Sequence, residues 1–68
     1  MKPISGKAMC KVLERHGWTL ARTKSSHHIY KKKGEKLIIT VPVHGNKDLR
    51  PGTQATIMKT ASLTEADL

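Results

Sequence analysis

Three observations in the sequence predict an α+β fold. An amphipathic helical pattern opens the chain, a β-branched middle is broken by a glycine turn, and a second helical pattern follows a proline-punctuated loop. The expected order is α-β-β-β-α: a three-stranded antiparallel meander with two helices on one face, leaving the other face open. The 68 residues fit a single domain covering 1–68. A chain of this size buries only about 60% of its unfolded surface, so its margin of stability is narrow.

The first helix is expected over Ile4–Gly17. Ser5 suits the N-cap, and Ile4 before it can staple onto Met9 in the first turn. Met9, Val12, Leu13 and His16 recur at helical spacing, Ala8 widens the stripe, and Gly17 stands where a left-handed C-terminal cap belongs. Trp18–Arg22 reads as a short strand with Trp18 and Leu20 on one face. His27–Lys32 and the β-branched Lys36–Val41 are the second and third strands. Thr23–Ser26 joins the first pair, and Lys33-Gly34-Glu35 makes a tight turn between the second and third. Pro42, which cannot donate to a ladder, closes the sheet. Val43–Pro51 lacks periodicity and reads as a loop, with Leu49 plugging the core at its end. A second helix follows from near Gly52, with Thr53 as N-cap and Ile57, Met58 and Ala61 as its apolar side. Thr64 can start a last turn.

Composition narrows the function. Thirteen Lys and Arg oppose five Asp and Glu, a formal charge of +8. Three of the five acids (Asp48, Glu65, Asp67) fall in the last third, so the rest is more basic still. Such a field favours nucleic acid, an anionic membrane surface or an acidic protein. The membrane is the poorest fit, because no long amphipathic helix combines lysines with aromatic anchors. The longest apolar run, Leu37–Val41, is far short of the ~20 residues of a spanning helix. Cys10 is the only cysteine, which excludes an internal disulfide and, with no signal-peptide pattern, points to the reducing cytosol.

Thr23–Tyr30, T-K-S-S-H-H-I-Y, gathers the groups able to do chemistry. It holds two histidines, small hydroxyl residues and Lys24, and it runs into Lys31, Lys32 and Lys33. Neighbouring strand residues point to opposite faces, so His27 and His28 cannot readily chelate one metal or act as an acid–base pair. No Cys–His cluster is present either, and neither metal nor cofactor is expected. His27, at the loop–strand junction, is the better placed of the two. A neutral imidazole can take the proton of a ribose 2′-hydroxyl, and lysines can stabilise the charge that develops on phosphate. A non-catalytic basic RNA-binding module is the alternative reading, and a basic accessory protein for ribosome or DNA is a further one. The predicted element order is shared by double-stranded-RNA-binding domains, an analogy that favours RNA.

Three ordered segments carry a resemblance to a known family. They are the Ile4–Trp18 opening with its Gly17-Trp18 end, the T-K-S-S-H-H-I-Y stretch, and V-P-V-H-G-N-K-D-L-R-P-G-T-x-x-x-I-M at Val41–Met58. Together they resemble the HicA (YcfA-like) mRNA interferase toxins. That family has G-S-H followed after two residues by an aromatic, then a strand ending in proline, a histidine-containing loop, and L-x-x-G-T opening the second helix. The resemblance implies a double-stranded-RNA-binding-like fold, ribosome-independent cleavage of mRNA, and a HicB-type antitoxin as partner. It places the catalytic histidine at His27, with Ser26 before it and Tyr30 as the aromatic. Lys24, Ser26, Tyr30, Lys31 and Lys33 are then expected to bind or orient RNA, and His44 or Tyr30 to serve as general acid. One position departs from the pattern: Ser25 stands where the family has glycine. If that position needs a positive φ, Ser25 carries a backbone cost that glycine avoids.

Overall fold

A computed structural model describes residues 1–68 and has the order α1 (Gly6–Arg15), β1 (Thr19–Lys24), β2 (His27–Lys31), β3 (Ile39–Pro42), α2 (Pro51–Thr60), with a closing 3₁₀ turn at Glu65–Asp67. The strands form one antiparallel sheet in the order β1-β2-β3. Both helices pack on the face that carries Tyr30, Ile39 and Val41.

The start of α1 follows local chemistry. The Ser5 hydroxyl accepts from the Ala8 N–H at 3.1 Å, and Ile4 and Met9 are both buried. Its end is a Schellman arrangement. Gly17 has φ +90°, the Trp18 N–H donates to the Leu13 carbonyl, and the Gly17 N–H donates to Glu14. His16 is the C-cap and is exposed rather than part of the apolar stripe. Cys10 is buried in that stripe instead.

Several boundaries differ from expectation. Trp18 is buried ahead of the first strand, and β1 runs on to Lys24. Leu20 pairs with Tyr30 and Arg22 with Ile29, so Ala21 is an extra residue in a β-bulge. Only Ser25 and Ser26 are left to connect β1 and β2. The third strand begins at Ile39, not Lys36, and takes in Pro42. Leu37 and Ile38 are 64% and 59% exposed, so the apolar run that reads as strand is half loop. The glycine turn is present, with Glu35 N–H on the Lys32 carbonyl at 3.0 Å and Gly34 at φ +87°, but it opens a longer connection. Proline is tolerated in β3 because the strand lies at the sheet edge.

Helix α2 starts at Pro51, with Arg50 as N-cap and no side-chain cap bond. Proline's fixed φ suits a first helical position, so Thr53 falls inside the first turn. Ile57, Met58 and Leu49 enter the core as the pattern predicts, and Thr64 starts the final turn in a capping box with Asp67. Gln54 is also in the core, 1% exposed. It accepts from the Ile4 N–H and donates to the Lys2 carbonyl, tying the N-terminal segment to α2.

Candidate nucleic-acid interface

Pairing partners define the two faces of the sheet. His28 pairs with Val41 and Tyr30 with Ile39, and these residues look toward the helices. His27 pairs with Pro42 on one side and Lys24 on the other, and Ile29 pairs with Thr40 and Arg22. His27, Ile29 and Lys31 therefore share the open face with Arg22 and Lys24. No strand contains a carboxylate, so this face is uniformly basic.

The turn that presents His27 has only two central residues. Ser25 has φ +57° and Ser26 does not have positive φ, the pattern of a type II′ turn, which favours glycine first. The condition attached to Ser25 is thus met: it occupies the glycine-favouring position. On the other side of the turn the Val43 N–H donates to the Ser26 carbonyl at 2.7 Å, fixing Ser26 against the strand exit. Helix α1 abuts the same end of the sheet. A side chain at Gly6 would collide with the Pro42 carbonyl, so only glycine allows this approach. The helix N-terminus, with its positive partial charge, is therefore seated behind the strand end that pairs with His27.

The predicted site residues divide into three groups. His27 and Lys24 are exposed neighbours across the turn, with Ser26 half-buried between them. Lys31 and Lys33 are exposed at the opposite end of β2. Tyr30 is in the core, 1% exposed, and its hydroxyl donates to Glu14 at 2.6 Å. Burial, then the bonds to Glu14 and Cys10, push its pKa well above the ordinary tyrosine value. Tyr30 is therefore held on the helix side of the sheet, with its hydroxyl turned to Glu14 and away from the open face that carries His27. Cys10 is shifted upward too, chiefly by burial, and is a packing residue.

His44 lies in a cleft of about 350 Å³ with Pro42, Lys47, Asp48, Arg50 and Thr53. Pro42 belongs to both places, pairing with His27 and lining the cleft that holds His44. The largest cleft, about 660 Å³ between β3 and α2, is lined by threonines and isoleucines and contains no titratable group. It has no part in the chemistry considered for His27.

Sequence reasoning missed Lys47 and Arg50, which flank His44. The signal was available in the loop His44–Pro51, where two basic residues sit close to the histidine, but nothing local shows that they share a cleft.

The fold and site define a small α-β-β-β-α domain whose open sheet face is basic and carries an exposed histidine beside a turn with Ser25 at positive φ. The sequence model described as HicA toxin of bacterial toxin-antitoxin matches residues 6–63, and the chain belongs to that family. It is thus a toxin component with an antitoxin as its counterpart. No curated protein matches the chain. No helix is long and apolar enough to cross a membrane.

Proposed function

We propose that the chain is a metal-independent endoribonuclease that cleaves mRNA with His27 as general base. The observation that carries this reading is the exposed imidazole of His27 beside Lys24, on a carboxylate-free sheet face. In the proposed step His27 removes the proton of a ribose 2′-hydroxyl, and that oxygen attacks the adjacent phosphorus. The bond to the 5′-oxygen breaks, and the departing oxygen takes a proton from His44 or water. Lys24 stabilises the phosphorane charge. With Tyr30 enclosed, His44 is the side chain left for the acid role.

A HicB-type antitoxin is the partner this reading implies, with an acidic surface covering His27 and the lysines around it. Complementary charge would speed association and occupy the phosphate positions. The non-catalytic RNA-binding alternative draws on one observation: no hydrogen bond to a protein group orients the His27 ring.

One experiment separates the two. His27→Ala is expected to stay folded and keep partner affinity while losing cleavage by ~10²–10⁴, the usual contribution of a general base. Products should carry a 2′,3′-cyclic or 3′-phosphate and a free 5′-hydroxyl, form in EDTA, and fail to form from RNA with 2′-O-methyl at the scissile ribose. Unchanged cleavage by His27→Ala, or its arrest by chelation of the wild type, refutes the mechanism.

A further inference from the structure

At the end of β2 remote from His27, three lysines line one cleft, and none of them has a carboxylate partner. Lys31, Lys32, Lys33 and Thr19 line a cleft of about 470 Å³ that contains no apolar residue and no carboxylate. The two ion pairs in the molecule involve the amino terminus with Glu65 and His16 with Asp67, so none of these lysines is paired. Three cationic side chains around one open cleft make a local positive potential that attracts anions. Lys32 is also partly fixed. It is half-buried, and its stem lies over the helix cap, where a Cβ on Gly17 would come within 3.3 Å of its Cε. The glycine that ends α1 therefore also leaves room for this lysine.

The location relates the cleft to the cleavage centre. Lys31 and His27 are four residues apart on one strand and on the same open face, a separation of about 13 Å at the rise of an antiparallel strand. A stacked strand advances about 3.4 Å per phosphate and an extended one roughly twice that, so the gap spans about two to four nucleotides. Between the two points the open face offers Ile29, flanked by Arg22 and Thr40.

We propose that the Thr19–Lys31–Lys32–Lys33 cleft is a second phosphate subsite, holding a backbone phosphate of the same RNA strand about two to four nucleotides from the bond at His27. It rests on the reading of His27 as the cleavage centre and adds a footprint and a length requirement. The lysines supply charge, and the Thr19 hydroxyl donates to a phosphate oxygen. The contact is to backbone, so it fixes register without reading sequence.

The test uses 2′-O-methyl oligouridylates of two to eight nucleotides, which bind but cannot be cut. Wild type and His27→Ala are expected to gain affinity in a step between about three and five nucleotides. Lys32→Gln combined with Lys33→Gln should remove that step, weakening the longer oligomers about tenfold, as loss of a charge-assisted contact would. The salt dependence of long-oligomer binding should fall by about 0.7 log unit per log unit of salt for one phosphate lost. An unchanged thermal midpoint shows that the double variant is folded. A smooth rise of affinity with length in both proteins, or equal weakening of the dimer and the octamer, overturns the subsite. Polyglutamate binding with the same lysine-dependent step also overturns it, assigning the cleft to an acidic protein. Cleavage of unmodified RNA is scored separately. If His27→Ala cuts normally while the length step persists, the catalytic reading fails and the cleft stands. If the step is absent while His27 is essential, the cleft alone fails.

Discussion

Ser25 carries a φ of +57° at the turn that holds His27 in place. Left-handed backbone costs an L-residue ~1–2 kcal/mol, a cost that glycine avoids. Ser25→Gly should therefore raise stability by about 1 kcal/mol, which for a domain of this size is roughly 4–8 °C in thermal midpoint. Strain at a functional turn can also hold a side chain in position, so cleavage by the variant is the informative second measurement. Tyr30 gives the complementary residue-scale test. Tyr30→Phe removes one bond to an exposed carboxylate and should cost on the order of 1 kcal/mol, with the phenyl ring still filling the core. RNA cleavage should stay within about twofold of wild type. A large loss of kcat with an unchanged melting profile would return Tyr30 to the chemistry. The T-K-S-S-H-H-I-Y stretch discloses His27 and Lys24 because a two-residue turn makes them neighbours. It cannot disclose the fate of Tyr30, whose partner Glu14 is sixteen positions away on another element.

At the scale of elements, what is legible in the sequence is what neighbouring residues determine. Ser5, Ile4 with Met9, and Gly17 mark the ends of α1 because caps and staples act within one turn. The β-branched run Lys36–Val41 overstates β3, since propensity does not reveal that Leu37 and Ile38 have no strand to pair with. Arg50 at the head of α2 has no capping side chain, and the start is set by Pro51. Gln54 is the clearest omission, a polar residue on a helix that reads as solvent-facing. It is buried because the N-terminal segment crosses α2 and leaves a backbone N–H and a carbonyl to be satisfied. Gln54→Leu keeps the volume and orphans both groups, so it should destabilise by about 1–3 kcal/mol in urea unfolding. A Gln54→Glu variant retains the acceptor for Ile4 but buries a carboxylate against the Lys2 carbonyl, and at neutral pH should be destabilised at least as much as Gln54→Leu. If Gln54→Leu is as stable as wild type, the segment is held by Ile4 burial alone.

For the whole molecule, stability should form a plateau bounded by two different sets of groups. On the acid side, the Lys2 backbone N–H holds the Glu65 carboxyl below its usual range, and the Thr64 N–H does the same for Asp67. Both carboxylates join the chain's end to its beginning or to α1, through Lys2 and His16. Depressed folded values mean that their contribution is present above about pH 4, the unfolded carboxylate range, and is lost as pH falls below it. On the alkaline side the sign reverses. Cys10 and Tyr30 are buried and hold their protons more tightly folded than unfolded. Their contribution is complete below about pH 8.5 and about pH 10, the respective unfolded values, and declines as pH rises past each. Thermal midpoints should therefore be nearly level from about pH 5 to pH 8 and fall at both ends. Cys10→Ala should flatten the decline between about pH 8.5 and 10, and Tyr30→Phe the decline above about pH 10, whatever either substitution costs at neutrality. An alkaline limb equally steep in the Tyr30→Phe variant would mean that the phenol ionises in the folded protein as readily as in the unfolded chain, and so is not enclosed between Cys10 and Glu14 in solution.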